Sequence, residues 1–268
     1  MNSVAPILVG VDFSSATPVL MRCVARWAAA GAPVILGHAI WPSEMRTSAA
    51  EDESGQEISL EDQIAEQKQR LERLLSEFAG PSPIRCEVRV GRPVAVLEQM
   101  ALDHGAELVI LGAHDLQHAN RRLGTLAASA ARRIPVDVLL VRDWQAGDGG
   151  TVAACVDFSA VSGHVIERAA ALARLMGATL ELIHVLYPPH CDPWGRVMEQ
   201  PMDAQSSYAA RVRERAQSLL SQLIADHAPA LQGLTHRVCL LESISPSTAI
   251  AAHAEAHSIA WIVTGSHE

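Results

Sequence analysis

Two stretches of this chain each occur twice. Val9-Gly10-Val11-Asp12-Phe13-Ser14 returns as Ala154-Cys155-Val156-Asp157-Phe158-Ser159, and Val109-Ile110-Leu111-Gly112-Ala113-His114 returns as Ile262-Val263-Thr264-Gly265-Ser266-His267. A spacing of about 145 residues is far longer than a solenoid unit, so each copy is expected to be a whole domain and not a stackable hairpin. In both copies an apolar strand runs into Asp-Phe-Ser, and a later one runs into Gly-x-His.

The 268 residues suffice for two such domains, and 49% hydrophobic against 19% charged residues suits compact cores. No apolar run approaches the roughly 20 residues that cross a bilayer, and Met1-Asn2-Ser3-Val4 lacks the basic start of a secretory signal. A cytoplasmic protein is therefore expected. A net charge of −9 sets up no field for a phosphate backbone, which argues against nucleic acid as a partner, and no membrane partner is expected. The five cysteines form no CxxC pair; Cys23, Cys86, Cys155 and Cys239 sit in apolar periodic stretches and read as reduced core residues.

Ile7 to Val11 is a continuous apolar run, as in a strand covered on both faces. Thr17 and Pro18 then suit a helix start, with Thr17 as its cap, and Val19, Leu20, Cys23, Val24 and Trp27 form a helical stripe. Strands follow at 34–40, 84–90, 108–111 and 136–141, and helices at 59–78, 93–103 and 124–133. The second copy reads as strand 151–156, helix 161–176, strand 179–185, helix 205–226, strand 235–241, helix 246–257 and strand 259–264. Strands alternating with helices imply right-handed crossovers, so each copy is an open parallel-sheet α/β sandwich. The small residues from Gln145 to Gly150 form a linker, giving domains 1–146 and 151–268. The second copy stops before the counterpart of the first copy's last helix and strand. Its segment Ile259 to Thr264 is thus expected to be a sheet edge that pairs with the other domain or with a second chain.

Open α/β sheets bind ligands beyond the carboxyl ends of their strands, where the strand order reverses. Asp12 follows the first strand and Gly112 the fourth. If those strands are neighbours, Asp12 can reach a sugar hydroxyl or base while the Gly112 loop presents backbone N–H groups. That loop runs to Gly124-Thr125 at a helix start, where Gly124 permits close approach and Thr125 adds a hydroxyl for an anion. The alternative is that Asp12 caps the following helix and the glycines only turn the chain.

Asp12, Gly37-His38, Gly91-x-Pro93, Leu108-Val109-Ile110-Leu111-Gly112-x-His114, Gly124-Thr125 and the closing run from Ile134-Pro135 to Val141 together resemble the universal stress protein family. The resemblance covers both copies. It implies two tandem five-strand-type sheets of order 3-2-1-4-5 and a regulatory or binding role, with no catalytic residues. Some members of that family bind ATP through the first-strand Asp and a loop of form Gly-x-x-Gly, nine residues, then Gly-Ser or Gly-Thr. Carried over, Asp12 would touch the adenosine, Ala39 would line the base pocket, and Gly112, Gly124 and Thr125 would face the phosphates, with magnesium alongside. The rival readings are a nucleotide-free dimerising scaffold and an adenine-nucleotide hydrolase.

The first copy departs from that pattern at Asp115, where the second glycine would stand, and only Leu116 to Leu123 separate it from Gly124. The second copy carries Ile244 in place of Gly91 and Glu268 in place of the second glycine, with no phosphate loop, so nucleotide is expected in the first domain only. No metal site is expected. His114-Asp115-Leu116-Gln117-His118 places two histidines four apart, but in a loop directly after a strand, and His190-Cys191-Asp192 lies in a Pro-rich loop.

A carboxylate about 4 Å from a phosphate oxygen costs on the order of 4 kcal/mol at an effective dielectric of about 20. Asp115→Gly should therefore raise ATP affinity, tenfold for each ~1.4 kcal/mol of repulsion removed, as read by calorimetric titration with and without magnesium. Unchanged affinity in both conditions would place residue 115 away from any phosphate.

Overall fold

The computed structural model describes residues 5–41, 59–77, 84–113, 125–142, 150–188 and 202–266. The chain divides into two compact units, Met1–Ala146 and Gly147–Glu268. Among the described residues no helix is long and apolar enough to cross a membrane.

The first unit runs β1 (Ile7–Gly10), α1 (Thr17–Ala29), β2 (Val34–Ile40), α2 (Leu60–Glu77), β3 (Ile84–Val90), α3 (Pro93–His104), β4 (Leu108–Gly112), α4 (Thr125–Arg133) and β5 (Asp137–Val141). Its sheet is parallel throughout, in the order β3-β2-β1-β4-β5. β1 lies at the centre because its residues are apolar on both sides: Leu8 and Val9 are fully buried. Gly10 and Gly37 face each other across β1 and β2, and α3 rests on them. A Cβ on Gly10 would meet Leu111 at 2.4 Å and Leu97 at 3.1 Å, and one on Gly37 would meet the Met100 sulfur at 2.8 Å. Two missing side chains thus let α3 bury Val96, Leu97, Met100 and Ala101 against the sheet.

The second unit runs β6 (Thr151–Cys155), α5 (Ser162–Met176), β7 (Thr179–Leu186), α6 (Met202–Asp226), α7 (Ala228–Leu231), β8 (His236–Glu242), α8 (Pro246–Ala256) and β9 (Trp261–Thr264). Its four strands are parallel in the order β8-β7-β6-β9, the same arrangement without a fifth strand among the described residues. β9 is the edge, and Ile262 on it is exposed. Cys155 and Ile183 stand where the first unit has Gly10 and Gly37, because each pair is matched in register between the first two strands. The helix corresponding to α3, α8, buries none of its residues.

Element bounds agree with the periodicity to within a few residues, the short α7 being an addition. One local expectation fails. Thr17 does not cap α1: the cap position is Ala16, which offers no side-chain hydrogen bond. Thr17 is instead 4% exposed inside the first turn, and its hydroxyl has no partner among the described residues. The preceding turn already engages the helix start, since the Thr17 N–H donates to the Ser14 carbonyl.

On the α3 side of the first sheet, Glu87 ties strand to helix. It accepts from Arg89 two residues along the same strand at 2.5 Å and from His104 at the end of α3 at 2.5 Å, while Arg89 also donates to Asp103 at 2.7 Å. Burial raises the Glu87 carboxyl, but the hydrogen bonds and charges of His104 and Arg89 outweigh it and hold the group below the ordinary glutamate value of 4.5.

Two outcomes follow for stability. Thr17→Val replaces an unpaired buried hydroxyl by a methyl of similar shape and should raise the unfolding free energy by about 1 kcal/mol in denaturant titration. Glu87→Gln should lower it by about 1–2 kcal/mol at neutral pH. Because the folded-state pKa of Glu87 is depressed, its contribution is complete above the unfolded value of 4.5 and fades as pH falls through the lower folded value. The gap between wild type and Glu87→Gln should therefore hold steady above about pH 5 and narrow below it.

Candidate functional site

The first sheet reverses its order at β1, which lies between β2 and β4. Gly10 is level with Gly37 on one side and Leu111 on the other. Residues just past those points therefore share one rim: Asp12 after β1, Ala39 near the end of β2, and Gly112 at the end of β4. Ala39 is half-buried and packs against the core cluster containing Leu8, Leu97 and Leu111. The Thr125 backbone opens α4, on the connection from β4 to β5. Gly124, Asp115, His114 and His118 lie outside the described residues, as do His190, Cys191 and Asp192.

Asp12 sits in a specific turn. Its Oδ1 accepts from the Ser14 N–H at 2.9 Å, so the carboxylate closes the turn before α1 and does not cap the helix itself. Phe13, between them, has φ +55°, a left-handed conformation that is costly for a bulky side chain. Packing holds it there: the Phe13 ring lies 4.9 Å from the His38 ring, and the Arg70 guanidinium covers it at 4.1 Å. His38 in turn donates from Nδ1 to the Val11 carbonyl at 2.7 Å, which ties β2 to the turn and fixes the proton on that nitrogen.

The second copy rebuilds the same device. Phe158 has φ +63°, its ring lies 4.2 Å from that of His184, and His184 donates to the Val156 carbonyl at 2.8 Å. The aspartates differ. Asp157 Oδ1 accepts from the Ser159 N–H at 3.0 Å, the Ser159 hydroxyl at 2.5 Å and the Ser162 hydroxyl at 3.1 Å. In the first copy Thr17 occupies the place of Ser162, its hydroxyl makes no such bond, and Asp12 is exposed. Both aspartates are exposed; Asp12 takes one hydrogen bond, whereas the Oδ1 of Asp157 is shared among three donors from its own neighbours.

Chemistry by thiols is disfavoured in both copies. Burial pushes the Cys23 thiol up to about 12. Burial, aided by the Glu72 charge, brings Cys86 to about 11, and burial, aided by Glu181, does the same for Cys155. Cys23, Cys86, Cys155 and Cys239 are all free thiols.

A second cluster escaped the reading of the sequence. Glu181 on β7, 3% exposed, accepts from Arg237 on β8 at 3.0 Å and approaches His253 of α8 at 3.3 Å, with Cys239 beside them. Burial raises the Glu181 carboxyl, yet Arg237 and His253 bring it below the ordinary range; burial and the Glu181 charge raise the Cys239 thiol. A charged residue inside the buried run Leu180-Glu181-Leu182 was the available signal.

The fold has relatives among solved structures. A universal stress protein from Archaeoglobus fulgidus DSM 4304 is 17% identical, with 98% of this chain and 86% of that one aligned and a TM-score of 0.61. A putative universal stress protein from Pseudomonas aeruginosa UCBPP-PA14 is 14% identical over 97% of this chain and 81% of its own, with a TM-score of 0.64. No curated protein matches the chain. The description of the universal stress protein family fits twice, over residues 4–142 and 150–268, in step with the duplicated sheet and the duplicated Asp-Phe-Ser turn. The chain belongs to the universal stress protein family.

Proposed function

We propose that the protein is a regulatory binding module that takes an adenine nucleotide, ATP with magnesium, in its first domain only. The observation that carries this reading is the contrast between the two aspartates. Both stand exposed at the switch point of a parallel sheet, and Asp12 takes a single hydrogen bond, from the Ser14 N–H. Asp157, at the same place in the second sheet, is taken up by Ser159 and Ser162. A carboxylate held by a rigid turn suits a ribose hydroxyl, which donates to it without the repulsion a phosphate would meet. Ala39 is small enough to leave room for a flat base beside the strand end. The Gly112 loop and the helix opening at Thr125 supply the backbone donors for phosphate, with Gly124 as the point of close approach.

Among the described residues of the rim none is arranged as a nucleophile with a base, and burial raises the Cys23, Cys86 and Cys155 thiols. Binding without turnover is therefore the expected behaviour.

Titration of the full chain with ATP tests this. Asp12→Ala should weaken binding by tenfold or more, about 1.4 kcal/mol, while Asp157→Ala should leave it unchanged. A loss that follows Asp157 and spares Asp12 would overturn the assignment to the first domain. Release of phosphate at a steady rate would favour a hydrolase instead.

A further inference from the structure

We infer that Glu181, Cys239 and His253 form a zinc site in the second domain, separate from the nucleotide rim. The three come from different elements, β7, β8 and α8, and each offers one donor atom, all within 4.8 Å of one another. Carboxylate oxygen, thiolate sulfur and imidazole nitrogen are the donor types zinc takes, and three protein donors leave a fourth position for water. Tetrahedral coordination at ordinary zinc bond lengths separates donor atoms by about 3.4–3.6 Å, so the cluster has to close by about 1 Å. The donor on α8, His253, has a side chain 9% exposed, while the rest of the helix is half-buried or exposed.

The two copies provide the comparison. Leu180 and Glu181 pair with His236 and Arg237 as Val34 and Ile35 pair with Ile84 and Arg85, which sets Glu181 over Ile35 and Cys239 over Glu87. Pro246 and Pro93 open corresponding helices, which sets His253 over Met100. Where the first domain buries Ile35 and Met100, at 5% and 0% exposure, the second carries a carboxylate and an imidazole whose side chains are 4% and 9% exposed. Apolar residues fill that place at no desolvation cost, as the first domain shows, so packing alone does not call for the pair. Coordination does. Zinc displaces the proton from the Cys239 thiol and takes the Nε2 lone pair of a neutral His253, while Glu181 turns one oxygen to the metal and keeps the other on Arg237, 3.0 Å away. Metal, thiolate, carboxylate and guanidinium then sum to +1, which a metal-bound hydroxide would neutralise. Arg237 acts as a positioning residue that holds the carboxylate from outside.

The test uses the full chain, stripped with chelator and titrated with zinc by calorimetry and with cobalt by absorbance. One equivalent of zinc should bind in the wild type, and cobalt should give a thiolate-to-metal charge-transfer band. Cys239→Ser should abolish the band, and both Cys239→Ser and His253→Gln should weaken zinc binding at least a hundredfold. Cys191→Ser, which leaves the cluster untouched, should change neither. Absence of binding by the wild type at micromolar zinc, binding retained in Cys239→Ser, or a band that disappears with Cys191→Ser would each overturn the assignment. Circular dichroism of the metal-free variants accompanies the titrations. Should His253→Gln fail to fold, the nearly isosteric Cys239→Ser and the cobalt band decide alone.

Discussion

Everything in either half depends on one central strand whose two faces are both covered. Leu8 and Val9 in β1, and Val152, Ala153 and Ala154 in β6, are fully buried, so neither strand can move outward or slip without exposing apolar surface. A parallel strand held in this way fixes the height of both neighbours by its hydrogen bonds. The register from Ile7 opposite Val34 and Leu108 carries through to Gly10, and it decides that Asp12, Ala39 and Gly112 emerge at one rim. That shared rim is a consequence of register, and register is a consequence of burial on both sides.

What the chain does just beyond that strand is costly, and the cost is met locally. Phe13 and Phe158 are held at positive φ by an aspartate-closed turn on one side and a histidine ring on the other. The same histidine donates to the carbonyl that ends the central strand, so strain, ring packing and the strand end form one unit. Of the three described non-glycine residues with positive φ, Phe13, Phe158 and Ser258, the two phenylalanines each stand beside a carboxylate at a sheet switch point. In both copies the carboxylate is held by the N–H of the serine that follows the strained residue.

Much of the architecture was legible because α/β order writes itself into periodicity. Doubly covered strands are short apolar runs such as Ile7 to Val11, and the helices between them carry stripes such as Leu60, Ile64 and Leu71. The α7 turn, at four residues, is too short to show a period. Thr17 before Pro18 has the composition of a cap, yet the turn from Asp12 had already claimed the helix start; competition between two local motifs is not visible in either alone. The left-handed phenylalanines were hidden for a different reason, since bulky residues are disfavoured there and only the ring contact with a distant histidine reverses the preference. Asp12, Ala39 and Gly112 could be named because the switch-point rule turns strand order into position. Glu181, Cys239 and His253 could not, because 58 residues separate the first two in sequence and only the β8-β7 pairing and the return of α8 bring them together.

Duplication lets the two halves be read against each other, and their differences fall into a consistent set. In the first, glycines at 10 and 37 draw α3 onto the sheet, an apolar layer seals beneath it, and the rim aspartate takes a single hydrogen bond. In the second, Cys155 and Ile183 replace those glycines, α8 buries none of its residues, donors occupy the layer between helix and sheet, and the rim aspartate is bound by its own serines. A difference in side-chain volume at two positions in the middle strands thus accompanies a helix layer that is apolar in the first half and carries donors in the second. Glu181 is itself buried, so its charge is balanced by Arg237 and His253 and not by water. The donors under the second helix are tied to packing: with Ile35 and Met100 of the first half replaced by Glu181 and His253, the face of the sheet carries polar groups at positions that the first half fills with apolar side chains.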